Sequence, residues 1–233
     1  ADVIACEDTR RTSILLTHFN IPRPQVMFSY REHHEEREGD RIVRHLQEGR
    51  RVVLCSDGGY PGISDPGYRL VRLAVEHNLP FEVIPGASAV PVALVASGLP
   101  TSSYTFKGYP PRKPGALRRF FEQEKDLPHT LVVFESPFRV GACLQAALAA
   151  LGNRQAAVCM ELTKKFERVS RGFLADLAPA FTDRKIKGEV TIVIAGNNPK
   201  FAREEEDADD PSDPADPADP SGQSDPPEPA DLP

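Results

Sequence analysis

Several acidic residues in this sequence stand directly after apolar runs, where a carboxylate can orient or deprotonate a polar ligand. Glu7-Asp8-Thr9-Arg10-Arg11-Thr12 follows the apolar run at 3–6. Two adjacent carboxylates beside two arginines could handle a substrate, or could only cap a helix and pair at the surface. The densest motif, Ser56-Asp57-Gly58-Gly59-Tyr60-Pro61-Gly62-Ile63-Ser64-Asp65-Pro66-Gly67, follows the run at 52–55. Four glycines and two prolines in these twelve residues exceed what a tight turn needs. They point to a ligand loop whose backbone adopts angles and close approaches that a Cβ would forbid. Asp57 could accept hydrogen bonds from ribose hydroxyls or hold a cation. Ser64 or Asp65 could cap the helix that follows, and Pro66 suits its first turn. Val83-Ile84-Pro85-Gly86-Ala87-Ser88-Ala89 is either a second ligand turn or an ordinary strand–helix turn capped by Ser88. Further on, Glu135 and Arg139 end one apolar run, Glu161 and Lys164 end the next, and Gly188-Glu189 opens the last. Glu135, Arg139, Glu161 and Lys164 could form a salt-bridge network, but their convergence at neighbouring strand ends favours a site for a polar ligand. No G-x-G-x-x-G occurs, which argues against a standard dinucleotide loop.

The elements that must position these residues are legible as an alternation. Apolar, β-branched runs at 3–6, 52–55, 81–84, 130–134, 156–160 and 190–195 read as strands. Stretches of helical period at 37–48, 67–78, 87–97, 115–125 and 138–151 lie between them. Strand alternating with helix predicts an α/β fold with a mainly parallel sheet, whose ligand groups gather beyond the carboxyl ends of strands. Loop residues 98–103 suggest a boundary and a cleft between two halves.

The chain has 233 residues, 40% of them hydrophobic, and no apolar run of 18 residues, so no membrane span is expected. The four cysteines form no C-x-x-C pair, so core packing in a reducing cytoplasm is expected rather than a zinc site. His33-His34 stands in a charged stretch and reads as surface; no metal is expected. The net charge of −6 hides an asymmetry: from Phe201 onward lie 12 of the 34 acidic residues and only one of the 28 basic ones, Arg203. Residues 1–200 therefore carry 27 basic against 22 acidic side chains, and the mildly basic body admits an anionic partner. The Asp/Pro-rich tail has almost nothing apolar to bury and is predicted to be disordered.

The pattern resembles the tetrapyrrole-methylase superfamily, and within it the 16S ribosomal RNA cytidine 2′-O-methyltransferases. Those carry E-D-T-R-x-T, D-A-G-T-P-x-I-S-D-P-G, P-G-x-S-A, G-F-x-P-R/K, E-S-P-x-R and E-L-T-K-x-x-E segments. Here residues 7–12, 57–67, 85–89, 108–112, 135–139 and 161–167 match them in order. The resemblance implies two α/β domains of the tetrapyrrole methylase type, 1–104 and 105–200, with a cofactor cleft between them and the disordered acidic tail at 201–233. It implies S-adenosylmethionine held by Asp57, Gly58, Gly59, Pro61, Ile63 and Ser64, and by Pro85, Gly86 and Ser88. Glu7, Asp8 and Lys164 are the candidates to take the proton of a cytidine 2′-hydroxyl. Arg10, Lys107, Arg112, Lys113, Arg118, Arg139 and Glu161 are expected at the RNA, with Arg119 extending the basic patch. The implied partners are 16S ribosomal RNA or the small ribosomal subunit and a second copy of the chain, in the cytoplasm and away from membranes.

Two alternatives accompany this reading. A tetrapyrrole or another small molecule could be the acceptor, although the basic segment 107–119 counts against it. A catalytically impaired cofactor-binding module is the other, since Tyr60 stands where the family has Thr. The sequence also opens without Met, directly in the run at 3–6, where the family has an earlier strand and glycine loop. The expectation is that a preceding segment pairs with 3–6, and that without it this central strand lacks a partner and activity suffers.

Overall fold

The β-branched runs become short strands and the periodic stretches become helices. In chain order they are β1 (Val3–Cys6), α1 (Thr9–His18), β2 (Val26–Ser29), α2 (Glu35–Gln47), β3 (Val52–Cys55), α3 (Tyr68–Glu76), α4 (Ala89–Ser97), β4 (Tyr104–Phe106), α5 (Pro114–Glu122), β5 (Thr130–Glu135), α6 (Val140–Leu151), β6 (Gln155–Met160), β7 (Arg168–Phe173), α7 (Leu174–Phe181) and β8 (Val190–Ile194). The computed structural model describes residues 1–182 and 186–203. The predicted disorder of the acidic tail concerns residues that, from 204 on, lie outside these.

The first sheet has the order β2-β1-β3, and both pairings are parallel. The expectation that β1 lacks a partner is corrected: residues 26–29, which carry only a weak strand signal, flank it on one side and β3 on the other. Val3 and Ala5 pack with Phe28, with Ile42 of α2 and with Leu70 of α3. Parallel pairing aligns Cys6 with Ser29 and Cys55, so Glu7, Tyr30 and Ser56 leave the sheet at one edge.

The second sheet has the order β4-β5-β8-β6-β7. Here the expectation of mainly parallel pairing is corrected, because only β4 and β5 are parallel while β8 runs antiparallel to both β5 and β6, and β7 antiparallel to β6. The short turn 161–167 sends the chain straight back beside β6, which a parallel neighbour would not allow. In register, Glu135 and Met160 both face Val190. The carboxyl ends of β5 and β6 and the start of β8 therefore share one edge.

Alternate residues of β5 serve opposite faces of this sheet. Leu131 and Val133 pack with Leu117, Phe121, Val140, Leu144 and Leu174, while Val132 packs with Val90, Ala93 and Leu94 of α4. Each such aliphatic side chain, fully buried, contributes about 1.5–3 kcal/mol. On the first face α6 and α7 lie so close that a Cβ on Gly141 would stand 2.9 Å from the Phe181 carbonyl oxygen. Residues Ala1–Arg203 form one compact unit. Within it, we propose two α/β halves divided near 104, with α4 crossing to pack on the second sheet. Past the expected end of the body at 200, Phe201 packs on the core and Ala202 bridges Arg154.

Residues 81–84, expected as a strand, form none. Phe81, Val83 and Ile84 are 49%, 60% and 76% exposed. Proline at 80 and 85 limits backbone donors around the run, and no strand among the described residues pairs with it.

Candidate active site

The shared sheet edges border one cavity of about 450 Å³. Glu7 and Arg11 reach it from the end of β1 and from α1, and residues 57–60 and 63–65 from the loop after β3. Residues 87–89 and Val92 come from the start of α4; Tyr109, Phe134, residues 162–164 and residues 189–191 come from the second sheet. Five of the six motif segments thus supply a lining residue.

The sixth, 135–139, does its work one step away. Glu135 has a fully buried side chain and pairs with Arg139 at 3.3 Å. Arg139 Nη2 donates to the carbonyls of Pro110 and Pro111 at 3.5 and 2.8 Å. The arginine expected at RNA fastens the segment that carries Tyr109.

The ends of β1 and β3 are tied reciprocally. The Asp8 N–H donates to Asp57 Oδ1 and the Asp57 N–H donates to Glu7 Oε2, both at 3.1 Å. Arg11 lies 3.5 Å from Asp57 Oδ2. In the loop that follows, Gly59, Gly62 and Gly67 have φ of 74°, 83° and 148°. Gly62 and Gly67 press together, so that a Cβ on Gly67 would stand 3.0 Å from the Gly62 nitrogen. Neither Ser64 nor Asp65 caps α3, as the sequence allowed: Gly67 holds the N-cap position and its N–H donates to Glu35 Oε1 at 2.8 Å. Ser88 holds the N-cap position of α4 without a capping hydrogen bond from its side chain, which leaves its hydroxyl for the cavity.

Opposite this loop, Lys164 Nζ donates to Glu161 Oε1 and Glu189 Oε2 at 2.9 and 3.0 Å. Those bonds, Glu161 first, raise the lysine above its ordinary pKa. The ammonium is therefore a donor rather than a ready proton acceptor. Glu161 also accepts the Glu189 N–H at 2.8 Å, and this bond, followed by Lys164, holds its carboxyl below the usual range. Ser64, Glu161 and Thr163 carry positive φ of 59°, 49° and 65° without being glycine. Such backbone costs about 1–3 kcal/mol per residue and gathers at ligand sites.

Asp65 is half-buried, and its pKa is pushed up to about 6 by burial first, then by the charges of Glu7 and Asp57, against a hydrogen bond from Ser56. Burial likewise raises Tyr109, with Glu189 and Asp65 adding to it.

Of the residues singled out from sequence, Glu7, Asp57, Gly58, Gly59, Ile63, Ser64, Ser88 and Lys164 line the cavity. Pro61, Gly86 and Glu161 stand beside lining residues without lining it, and Pro85 is one residue further off. Asp8 caps α1 by accepting the Arg10 N–H at 2.9 Å and pairs with the Arg10 guanidinium at 2.6 Å. The Arg10 bonds hold its carboxyl well below the usual carboxylate range, and neither residue lines the cavity. Asp8→Ala is accordingly expected to speed amide exchange in the first turn of α1 while β5 stays protected, as exchange measured residue by residue would reveal.

The basic side chains of segment 107–119 lie outside the cavity. Lys107 is committed to Glu124 at 2.7 Å and stands over the Phe120 ring at 4.3 Å, and Arg118 pairs with Glu122 at 2.6 Å. Arg112, Lys113 and Arg119 are exposed and have no ion-pair partner among the described residues. The structure adds Arg11, Tyr60, Asp65, Tyr109, Phe134 and Glu189 to the lining. Asp65 had a legible signal, its place in the glycine loop, but the same position also reads as a cap. Glu189 was legible only as the residue that opens the last run; the antiparallel course of β8 is what brings that end to this edge. Among the described residues no group of three His, Cys, Asp or Glu side chains could hold a metal, and no helix is long and apolar enough to cross a membrane.

Comparison with known proteins places this geometry among relatives. The family described as tetrapyrrole (corrin/porphyrin) methylases matches residues 1–178. A protein of Halalkalibacterium halodurans named ribosomal RNA small subunit methyltransferase I is 44% identical over 205 residues, 88% of this chain and 70% of that protein. One of the same name from Mesorhizobium japonicum is 42% identical over 211 residues, 90% of this chain and 70% of that protein. Among solved structures, the methyltransferase CobJ aligns with a TM-score of 0.58 at 16% identity, covering 84% of this chain and 93% of that one. Uroporphyrin-III C-methyltransferase from Thermus thermophilus, complexed with S-adenosyl homocysteine, aligns with a TM-score of 0.51 at 20% identity over 84% of this chain and 85% of that one. At such identities the structures speak for the fold alone.

Proposed function

The chain belongs to the tetrapyrrole (corrin/porphyrin) methylases, and we propose that it transfers the methyl group of S-adenosylmethionine to the 2′-hydroxyl of a cytidine in 16S ribosomal RNA. The observation that carries this reading is the convergence of five motif segments on one cavity, in a chain 44% identical to a protein named for small-subunit ribosomal RNA methylation.

The cavity suits the cofactor chemically. About 450 Å³ falls in the range of small-molecule sites. Ile63, Val92, Phe134 and Leu162 offer apolar wall for a base, and Asp57 and Ser88 offer acceptors for ribose hydroxyls. Glu7, Asp57, Asp65 and Glu189 make the site acidic, as a cationic ligand requires. When bound, the sulfonium supplies an electrophilic methyl group. The protein's own part is to hold the ribose hydroxyl in line, exclude water and receive one proton. Tyr60 fits this account as a wall residue of the same cavity, in place of the family's Thr.

The exposed Arg112, Lys113 and Arg119 are proposed to bind phosphates, which positions RNA without reading its sequence. Arg112→Ala with Lys113→Ala is expected to weaken binding about equally for different RNAs and to lower the salt slope by about 1–2; filter binding from low to high salt checks it. The rest of the proposal is a cytoplasmic location and a homodimer, the latter supported by the exposed Ile14 and Leu15 of α1 and Phe19 just after it. The decisive test is labelled S-adenosylmethionine with naked 16S ribosomal RNA, assembled small subunits and a tetrapyrrole. Label confined to one cytidine 2′-oxygen is expected. Label on a base, on the tetrapyrrole or on nothing overturns the reading.

A further inference from the structure

We propose that Asp65, in the glycine loop after β3, is the group that takes the proton from the ribose 2′-hydroxyl. This role rests on the methyl-transfer reading above and names a residue for it. Four carboxylates line the cavity: Glu7, Asp57, Asp65 and Glu189. Three of them are committed. Glu7 accepts the Asp57 N–H, Asp57 accepts the Asp8 N–H beside Arg11, and Glu189 accepts from Lys164. Asp65 alone has neither a cation nor a backbone N–H on its oxygens among the described residues; the Ser56 hydroxyl, which lowers its proton affinity, donates to the Gly58 carbonyl at 3.3 Å. It is thus the cavity acid with acceptor capacity to spare.

Its surroundings tune it for the task. Glu7 from the end of β1, Asp57 from its own loop and Glu189 from before β8 all raise its proton affinity, after burial itself. Tyr109 feels Asp65 from the second sheet, and the cavity's two cations, Arg11 and Lys164, are engaged by other acids. A carboxylate titrating near about 6 is ionised at neutral pH yet basic enough to assist. In the step itself the 2′-oxygen forms its bond to the methyl carbon as the carbon–sulfur bond of the sulfonium donor breaks. The electron pair of that bond stays on sulfur, and the hydroxyl proton passes to a carboxylate oxygen of Asp65.

The test has three arms. Single-turnover methyl transfer to small subunits, followed from pH 5 to 8.5, is expected to rise through a limb near about 6 and then level. Asp65→Asn is expected to lose the limb and about 100-fold or more in rate, with Asp65→Glu regaining part of both. Carbon-13 titration of the Asp65 carboxyl in the free protein is expected to show the same midpoint. Calorimetry is expected to find S-adenosylhomocysteine affinity of Asp65→Asn within about threefold of wild type, a gap under 1 kcal/mol. A limb that persists in Asp65→Asn, a midpoint below 5, or a loss confined to S-adenosylhomocysteine binding overturns the role alone. Absence of ribose methylation by the wild type overturns the underlying reading and the role with it.

Discussion

Asp57→Ala is expected to weaken binding of S-adenosylmethionine by about 10- to 100-fold. Asp57 Oδ1 receives the Asp8 N–H, while the Asp57 N–H goes to Glu7 Oε2. One side chain from each strand end thus anchors the main chain of the other. Removing the carboxylate frees the Asp8 N–H, leaves Arg11 without its partner at 3.5 Å and takes an acceptor from the proposed ribose contact. Losing hydrogen bonds to a charged group costs about 1.5–3 kcal/mol, and every 1.4 kcal/mol is tenfold in affinity. Asp57→Asn keeps an oxygen for the Asp8 N–H and is expected to lose less. Titration calorimetry of both variants, beside a thermal melt, separates the two outcomes. Equal affinity in wild type and Asp57→Ala would remove Asp57 from the binding wall.

That this residue could be chosen from sequence at all reflects where physical signals are strong. Val52–Cys55 is short, apolar and β-branched, so the strand was legible to the residue, and Asp57 follows with glycines whose positive φ the structure then requires. β6 and β8 were legible for the same reason, being buried from end to end apart from Gln155. β7 was not. Arg168-Val169-Ser170-Arg171-Gly172-Phe173 lies at the sheet's edge, with two arginines and a glycine and only partial burial, so hydrophobic pattern could not mark it. Its antiparallel pairing with β6 adds to the antiparallel course of β8 in making the second sheet mixed, and it depends on a seven-residue turn with two non-glycine residues at positive φ. Residues 81–84 fail in the opposite direction: their apolar pattern reads as a strand, but pairing is a property of neighbours, and none of the described strands lies beside them.

The site divides along the same line. Residues in the glycine loop were found because composition alone sets that loop apart. Arg10 and Arg11 show the limit, since adjacent arginines at the start of α1 point about 100° apart around a helix. Arg10 turns to Asp8 and Arg11 to the cavity, and nothing in the local sequence decides between them before the strand ends are placed. Arg139 shows another limit. Its charge suggests RNA, but it lies four residues from Glu135 and reaches the carbonyls of Pro110 and Pro111, a use visible only when the chain has folded.

Lys164→Ala is expected to lower turnover by about 10- to 100-fold while changing stability little. The ammonium sits between Glu161 at 2.9 Å and Glu189 at 3.0 Å, with its side chain 45% exposed. Exposed ion pairs contribute about 0–1 kcal/mol each, so unfolding should barely register the loss. Position should register it more. Glu161 accepts the Glu189 N–H, and Thr163 donates its N–H to Glu167 Oε2 at 2.6 Å, so the lysine is one clasp among several on a strained turn. Without it the Glu161 and Glu189 carboxylates face each other uncompensated and push the turn and the start of β8 apart, moving the cavity wall formed by residues 162–164 and 189–191. A shift of about 1 Å at a reacting geometry can cost about 100-fold. The pH dependence has a definite sign. Glu161, held below its ordinary pKa by the Glu189 N–H and then by Lys164, adds stability that is present above the ordinary carboxylate value and lost as pH falls through the lowered one. In Lys164→Ala that loss is expected to begin at higher pH, because one of its two causes is gone. Lys164→Arg restores a cation and is expected to recover most of the rate. Single-turnover rates and acid unfolding of the three proteins decide the matter: if Lys164→Ala turns over at the wild-type rate, the clasp does not hold the wall.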